Sequence, residues 1–318
     1  MRVILAGSGE FGIPSLRTII HGGHEVVQVI SQPDRPAGRG RKLTPTPLAQ
    51  AAIDQKLDVV RPDDINALSL PSADVLVVIA FGQKIGPQIV GHPKFGSINL
   101  HASLLPKYRG AAPINWAILG GETVTGNSVI RLAMKMDAGA ILRSGQLEIE
   151  ELETAGELHD RLGELGGPLV FATLSDLERG RATETVQDES QATLAPKLKR
   201  ETSLVDWNKP AERVARQIRG LFPWPGCRVK IGQDVVTLCR ARAVNITPEA
   251  ASTDPDPFDA LKNRNTPPGA IDENGNVFCG QGAVEIVELQ PAGKRPMPLD
   301  AYRNGHRWDA GTRLEPVA

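Results

Sequence analysis

The sequence predicts an α/β protein with two domains, an N-terminal domain built on a mostly parallel sheet and a small C-terminal β-barrel. Strand-like apolar runs alternate with helical patterns through the first half of the chain, which is typical of βαβ units. About five short strand-like runs within about 80 residues near the end indicate a small barrel. The chain has 318 residues, more than a single hydrophobic core usually supports.

Composition predicts the domain boundaries. Residues 1–185 are expected to form a Rossmann-like domain and residues 204–318 an OB-like domain. The stretch 186–203 is polar and irregular, which predicts a linker. A Pro- and Asp-rich interval at 247–268 predicts a surface insertion in the barrel, and the tail beyond Pro316 is expected to fray.

The first βα unit contains a glycine-rich loop. A strand at 3–6 leads into residues 7–12, whose letters match the dinucleotide pattern G-x-G-x-x-G, and a helix at 13–20 follows. A nicotinamide-dependent oxidoreductase is therefore an alternative function. The second strand, at 25–30, is followed by a serine and a glutamine where a dinucleotide site would have a ribose-binding acid. This weakens the alternative.

The later elements follow from hydrophobic periodicity. Further helices are predicted at 47–55, 112–119, 154–177 and 211–221. Further strands of the N-terminal sheet are predicted at 58–60, 74–80 and 128–133. The strands of the barrel are predicted at 228–231, 235–241, 269–271, 277–278 and 284–289.

Charge is distributed unevenly along the chain. The net charge is −1, but residues 195–245 contain eleven Lys and Arg against four Asp and Glu, a local net charge of +7. Such an excess indicates a face that binds a polyanion. No apolar run approaches the about 20 residues of a membrane span, and the N-terminus lacks a signal-peptide pattern. A cytoplasmic protein without a membrane partner is predicted.

The cysteines do not suggest a metal site. Cys227, Cys239 and Cys279 are few and widely separated, unlike a zinc-binding pattern. We expect them to be packing residues in a reducing compartment, and no metal is predicted.

A strand that runs into a polar loop, within residues 97–110, is the first candidate catalytic site. Asn99 and His101 alternate along this strand, so their side chains leave the same face, at the sheet edge where open α/β proteins bind ligands. The alternative is that the two side chains only fix the loop. Asp137 lies on a glycine-containing turn and either caps that turn or orients and stabilises a charged histidine.

The segment after the most apolar strand is a second candidate. Phe81, Gly82, Gln83 and Ile85 lie where a ligand would meet the sheet edge. Gly82 lets the backbone approach a ligand closely, or it only shapes the turn.

Two basic segments are candidates for contact with an anionic partner. The loop at 32–42 contains glycines and is expected to be mobile; its cations are Arg35, Arg39, Arg41 and Lys42. In the helix at 211–221, Arg213, Arg216 and Arg219 recur every third residue, so we expect one outward guanidinium face. For both segments the alternative is an ordinary solvated surface.

Six segments together point to one family. They are Asn-x-His-x-Ser-Leu-Leu-Pro-x-Tyr-Arg-Gly-Ala-Ala-Pro-Ile at 99–114, Met-Asp-x-Gly at 136–139, Gln-Pro-Asp-Arg-Pro-Ala-Gly-Arg-Gly at 32–40, Asp-Trp at 206–207, Phe-Pro-Trp-Pro-Gly at 222–226 and Leu-Gln-Pro-Ala-Gly-Lys-Arg at 289–295. On these motifs the chain resembles the methionyl-tRNA formyltransferases over nearly its whole length. The Asn, His and Asp set alone marks only the wider group that uses 10-formyltetrahydrofolate, including enzymes acting on glycinamide ribonucleotide and sugar nucleotides.

The resemblance implies transfer of a formyl group from 10-formyltetrahydrofolate to the α-amino group of methionyl initiator tRNA, for translation initiation. It puts Asn99, His101 and Asp137 on the family's catalytic positions. Folate binding is implied for Ser103, Leu104, Leu105 and Pro106, together with Phe81, Gly82, Gln83 and Ile85, and tRNA binding for the seven cations of the two basic segments. No metal and no obligate protein partner are implied. A non-catalytic RNA-binding protein remains a further alternative.

Overall fold

The computed structural model of this chain describes residues 1–38, 40–244 and 267–317. These residues form two compact units. The N-terminal unit contains Met1–Pro113, Val124–Glu148 and His159–Pro196, and the C-terminal unit contains Ile114–Thr123, Ile149–Leu158 and the described residues from Lys197 onward. The domain ranges 1–185, 186–203 and 204–318 stay proposals.

The first two thirds of the chain contain strands and helices in alternation. The strands are β1 (Arg2–Gly7), β2 (Glu25–Ile30), β3 (Arg35–Ala37), β4 (Lys42–Thr44), β5 (Val59–Val60), β6 (Val75–Ile79), β7 (Ser97–His101), β8 (Arg109–Gly110), β9 (Val124–Arg131), β10 (Ile141–Glu148) and β11 (Leu194–Ala195). The helices are α1 (Ile13–His21), α2 (Pro47–Asp54), α3 (Pro87–Val90), α4 (Pro113–Gly120) and α5 (Ala155–Glu178).

A seven-stranded sheet organises the N-terminal unit. Its strand order is β10-β9-β7-β6-β1-β2-β5. The strands from β7 to β5 are parallel to their neighbours, whereas β9 runs antiparallel to β7 and to β10. Every residue of β6 is buried, as expected for the centre of a parallel sheet. The predicted mostly parallel sheet is therefore confirmed.

Buried apolar side chains on one face of this sheet form a core cluster. Its members are Ile4, Ala6, Ile30, Ile65, Leu70, Ala73, Leu76, Val78, Phe81 and Ile89. Alternate residues of β1 and β6 contribute because side chains two apart along a strand share a face. Full burial of one such large side chain contributes roughly 1.5–3 kcal/mol. Since Phe81 belongs to the cluster, the core also anchors the chain just after β6.

The basic segment at 32–42 is more regular than expected. β3 and β4 pair in an antiparallel hairpin, with Gly38 at φ 67° and Arg41 at φ 47° in the turn. The Arg41 backbone N–H donates to the Gly38 carbonyl at 3.2 Å. The sequence predicted a loop, with no regular structure assigned to it, and a hairpin forms because left-handed turn residues reverse the chain and let the flanking backbone pair. Arg39 lies outside the described residues.

The polar stretch at 186–203 also contains regular structure. β11 pairs in parallel with β8, with Leu194 opposite Arg109, and short 3-10 helices lie at Glu189–Gln191 and Arg200–Ser203. The expectation of an irregular stretch is therefore wrong in part. The pairing joins residues 85 positions apart in the chain, and a local composition pattern carries no signal for such a contact.

The C-terminal unit contains a curled antiparallel sheet. Its elements are α6 (Ala211–Gly220), β12 (Cys227–Ile231), β13 (Asp234–Val244), β14 (Val277–Phe278), β15 (Ala283–Pro291), β16 (Met297–Pro298), α7 (Leu299–Arg303) and β17 (Glu315–Val317). The order is β14-β15-β13-β12-β17, with β16 on β15. Isolated bridges from Ala270 to Arg313 and from Ile271 to Val277 link its two edges. The predicted small barrel-like domain is confirmed.

Two smaller expectations about the C-terminal unit have different outcomes. The tail beyond Pro316 does not fray at Val317, which pairs with Arg228 on β12. Almost all of the interval predicted as an insertion, residues 247–266, lies outside the described part of the chain.

All three cysteines are free and buried, as predicted. Burial raises the pKa of the Cys227, Cys239 and Cys279 thiols to about 12, so these groups stay protonated and unreactive near neutral pH. Among the described residues, no group of three or more His, Cys, Asp or Glu side chains is arranged to hold a metal ion. Within the same residues, no helix combines the length and apolar character needed to cross a membrane.

Candidate active site

His101 lies at the carboxyl end of β7 with an oxygen acceptor facing each ring nitrogen. Its side chain is only 7% exposed. Nε2 is 2.9 Å from the Tyr108 carbonyl oxygen, which can only accept, so this nitrogen is the donor. Nδ1 is 3.6 Å from Asp137 Oδ2, beyond ordinary hydrogen-bond length. A protonated His101 can therefore donate at Nε2 to the backbone and still offer its Nδ1–H to a reacting atom.

Asn99 lies on the same face of β7, two residues before His101. Its backbone is held between β6 and β9, with Val78 and Ile130 as its neighbours across the sheet. Asn99 is half-buried. The alternation predicted for the two polar side chains thus agrees with the observed strand, and both are carried by a rigid element.

Asp137 lies on the turn between β9 and β10 with φ 51°. Its Oδ2 accepts a hydrogen bond of 2.8 Å from the Gly110 backbone N–H and faces His101 Nδ1. The carboxylate therefore fixes the segment after β7 and also presents negative charge to the histidine. The hydrogen bond with Gly110 joins Asp137 to a residue 27 positions away and is not the predicted cap of its own turn. The role of Asp137 as a partner of the histidine stays a prediction.

The loop after His101 is held in place by hydrogen bonds within the protein. Ser103 is buried, and its Oγ donates to the Lys107 carbonyl at 2.7 Å. Ser128 Oγ donates to the Ser103 carbonyl at 2.8 Å and accepts from the Leu105 N–H at 3.1 Å. The Ser103 hydroxyl is thus already engaged within the protein. Leu104 and Pro106 are half-buried, whereas Leu105 is buried.

The candidate segment after β6 divides into structural and accessible residues. Phe81 packs into the core cluster. Gln83 Oε1 accepts from the Ile65 N–H at 2.8 Å and its Nε2 donates to the Pro62 carbonyl at 3.0 Å. Gly82, at φ 83°, is exposed and Ile85 is half-buried. Gly82 and Ile85 leave surface for a ligand at this edge, whereas the amide of Gln83, which is also half-buried, is engaged within the protein.

Sequence reasoning missed a buried polar group that supports the Asp137 turn. Arg109 and Gln187 are 4% and 6% exposed, and their side chains are joined by hydrogen bonds of 2.7 and 3.0 Å. Arg109 also pairs with Glu189 at 2.9 Å. Hydrogen bonds from Arg109 and then Lys135 lower the pKa of Glu189 to about 2. Arg109 belongs to the motif at 99–114, but nothing in the local sequence marks Gln187.

Family comparisons identify the fold and its class. Residues 1–174 match the formyl transferase family, and residues 197–307 match the formyl transferase C-terminal domain family. A methionyl-tRNA formyltransferase of Methylococcus capsulatus is 38% identical to this chain over 323 residues, covering 99% of both sequences. This chain belongs to the methionyl-tRNA formyltransferase family. The family resemblance inferred from the six motifs is confirmed.

Further comparisons agree with membership of the methionyl-tRNA formyltransferase family. The methionyl-tRNA formyltransferase of Moorella thermoacetica is 39% identical over 316 residues, 96% of each sequence. An N-formyltransferase from Helicobacter canadensis, crystallised with folinic acid and dTDP-3-aminofucose, superposes with a TM-score of 0.65 at 16% identity, covering 91% of this chain and 98% of the other. At that identity the likeness concerns the fold alone. Family membership replaces the dinucleotide interpretation of residues 7–12.

The basic hairpin formed by β3 and β4 exposes three cationic side chains. Arg35, Arg41 and Lys42 are exposed. The neighbouring Asp34 is paired with Arg61 through contacts of 2.7 and 2.9 Å, so its charge is already compensated. The hairpin therefore presents net positive charge, as the sequence predicted.

The arginines of α6 do not form one outward face. Arg213 is exposed, but Arg216 is half-buried and lies 3.6 Å from Glu212. Arg219 donates to the Ala241 carbonyl at 3.1 Å and to the Glu153 carbonyl at 3.2 Å, and burial lowers its pKa. The expected outward position of Arg219 is wrong, because every third helical residue turns about 60° around the axis and reaches the packed side.

Proposed function

We propose that this chain transfers the formyl group of 10-formyltetrahydrofolate to the α-amino group of methionyl initiator tRNA in the cytoplasm. One observation supports the proposal: in a member of this family, His101 at the carboxyl end of β7 lies 3.6 Å from Asp137, and Asn99 is on the same face of that strand. The product is the formylated initiator used in translation initiation.

Asn99 and His101 suit the chemistry of formyl transfer. When an amine attacks a formyl carbon, the formyl oxygen gains negative charge, and the site needs hydrogen-bond donors aimed at it. The Asn99 amide and the Nδ1–H of a protonated His101 are such donors. The carboxylate of Asp137, 3.6 Å from Nδ1, stabilises the charged imidazolium. Asp137 can also hold a water that, together with His101, carries the proton leaving the amine to N10 of the folate as the bond between N10 and the formyl carbon breaks.

The folate site is proposed at the adjacent ends of β6 and β7. These strands are parallel neighbours, so the loops that follow them open at the same edge of the sheet. Gly82 has no side chain and adopts φ 83°, and Ile85, Leu104 and Pro106 keep part of their apolar surface. These features fit a flat heterocycle held by backbone groups and apolar contacts. We assign Phe81, Gln83, Ser103 and Leu105 to shaping this site rather than to direct side-chain contact.

The tRNA contacts are proposed on the basic segments. Exposed arginine and lysine side chains bind phosphates and position the nucleic acid. Arg35, Arg41 and Lys42 on the hairpin, together with Arg39, and Arg213 and Arg216 on α6 are the proposed contacts. Arg219 is less suited, since backbone carbonyls already occupy its guanidinium.

One assay tests the proposed function. The enzyme is given 10-formyltetrahydrofolate and methionyl initiator tRNA, and formylmethionine is measured on the tRNA. We expect catalytic formylation of the tRNA. Formylation of glycinamide ribonucleotide or of a dTDP-amino sugar, with unmodified tRNA, would instead assign a different acceptor to the same fold. Tight binding of tRNA without turnover would indicate an RNA-binding protein.

Arg41→Ala is expected to raise KM for tRNA severalfold and leave kcat nearly unchanged, because an exposed phosphate contact contributes affinity and not bond chemistry. The slope of log affinity against log salt should also decrease by about 1. Steady-state kinetics and tRNA titrations at several salt concentrations measure both effects. Arg179→Ala, at an exposed arginine at the end of α5, is the control. An unchanged KM and slope for Arg41→Ala would contradict the role of the hairpin.

A further inference from the structure

Gln187 uses its full hydrogen-bonding capacity in a buried position. Its Oε1 accepts from Arg109 Nε at 3.0 Å and Nη2 at 2.7 Å. Its Nε2 donates to the Asp137 and Gly139 carbonyls, both at 2.8 Å. A guanidinium only donates and a carbonyl only accepts, so the orientation of the amide is determined. No other uncharged side chain of this length matches two donors on one side and two acceptors on the other.

These contacts close a ring around the Asp137 turn. Arg109 holds Gln187, Gln187 holds the main chain of Asp137, and the Asp137 carboxylate accepts from the N–H of Gly110, the residue after Arg109. The main chain and the side chain of Asp137 are thus both tied to the segment 109–110. The ring sets the direction in which the carboxylate points, toward His101 Nδ1.

The same stretch of chain also holds the other partner of His101. Thr193 Oγ1 accepts from the Tyr108 N–H at 2.8 Å, and the Thr193 carbonyl accepts from the Arg109 N–H at 2.9 Å. The Tyr108 carbonyl in turn accepts from His101 Nε2. Gln187 and Thr193 therefore support the oxygen acceptors on both sides of the imidazole.

We propose that Gln187, anchored by Arg109, is a positioning residue for formyl transfer that aims the Asp137 carboxylate at His101. The proposal rests on the proposed function. Its physical basis is that catalytic groups must be held close to their productive geometry, since a displacement of about 1 Å can cost about 10²-fold in rate. A side chain that locks the turn supplies this precision without contacting the reacting atoms.

Gln187→Glu tests the proposal with little change in shape. The carboxylate still accepts from Arg109, but it cannot donate to the two carbonyls and is repelled by them, so the turn loses its support. We expect kcat to fall by about 10- to 100-fold, with KM for the folate and for tRNA each within about twofold of the original values. Gln191→Glu is the matched control: it makes the same change four residues later, at an exposed side chain whose Nε2 donates to Asp188 Oδ2 at 2.8 Å.

A double-mutant cycle with Asp137→Asn separates positioning from general damage. If Gln187 acts by aiming the Asp137 carboxylate, removing that charge makes the aim irrelevant. The double variant should then be no slower than Asp137→Asn alone, whereas independent effects would multiply. Arg109→Lys keeps the charge but loses the forked contact with Gln187. Combined with Asp137→Asn in the same way, it tests the proposal through kcat if Gln187→Glu does not fold.

A measurement that does not depend on turnover tests the positioning role separately from the proposed function. The ¹⁵N NMR signals of the His101 imidazole, recorded without substrates, should move in Gln187→Glu and stay in place in Gln191→Glu. Wild-type protein that moves no formyl group would contradict the proposed function, and the NMR result would still decide the positioning role. Multiplicative effects in the cycle, an unchanged kcat in a folded variant, or unmoved His101 signals would overturn the proposal.

Discussion

His101→Ala is expected to lower kcat for formyl transfer by at least about 10³-fold while the Kd for tRNA stays within about twofold. The variant loses both a donor to the developing oxyanion, which typically contributes about 10²- to 10³-fold, and a group that moves protons, worth a further 10²-fold or more by typical values. Binding is spared because the imidazole is almost fully buried at the end of β7. Single-turnover formylation and tRNA titration measure the two quantities.

His92→Ala is the matched control for this loss of a histidine. His92 is exposed and precedes the amino end of β7, nine residues before His101, and its Nε2 lies 3.0 Å from the Pro71 carbonyl. We expect its kcat to remain within about twofold of the wild-type value, as for most surface substitutions. A His101→Ala enzyme that retains a tenth of its turnover would exclude His101 from the chemistry.

Gly139→Ala is expected to lower the free energy of unfolding by about 3 kcal/mol or more and to reduce kcat by about 10²-fold. An added Cβ would lie 1.8 Å from the Arg131 carbonyl oxygen and 2.8 Å from its carbonyl carbon. Both are backbone atoms of β9, so the turn that carries Asp137 must move. Urea unfolding measures the first effect and steady-state kinetics the second.

Gly305→Ala is the control for the glycine substitution, because a Cβ there meets no atom within 4 Å. Its stability should stay within about 0.5 kcal/mol of the wild-type value, as at other surface positions. If Gly139→Ala unfolds at the wild-type urea concentration, the turn between β9 and β10 is less tightly packed than the structure indicates.

Sequence reasoning located the catalytic strand because its signals are local. Apolar residues that alternate with polar residues over five positions predict both a strand and a shared face for the polar side chains. The observed β7, Ser97–His101, lies at the start of the predicted stretch 97–110 and has this alternation. The same reasoning predicted β2 at its observed limits, Glu25–Ile30. These elements depend on side chains within a few residues of each other, and periodicity describes such relations well.

The positioning group could not be found in this way. The side chains of Arg109 and Gln187 meet across 78 residues, and neither an amide nor a guanidinium has a periodic pattern that marks a buried partner. Composition suggested a polar linker at 186–203, which describes the type of residue but not its burial. Long-range hydrogen bonds of this kind become visible only when the backbone brings β8 and β11 together.

Helical spacing was a weaker guide for the arginines of α6. A spacing of three residues falls about 60° short of a full helical turn, so Arg213 and Arg219 point in directions about 120° apart around the helix axis. That angle separates a solvated side chain from one that binds backbone carbonyls. Spacing alone therefore assigned all three guanidiniums to one exposed surface. The Arg219 guanidinium instead donates to the carbonyls of Ala241 and Glu153 and is not on that surface.

The pairing of β8 with β11 has a consequence for recombination between related enzymes. A chimera joined near residue 185 would take its catalytic loop from one parent and the glutamine segment that supports it from the other. A junction after Pro196, where the N-terminal unit ends, keeps His101, Asp137 and Gln187 within a single parent. The histidine and its two flanking acceptors are then inherited together, whichever parent supplies the residues from Lys197 onward.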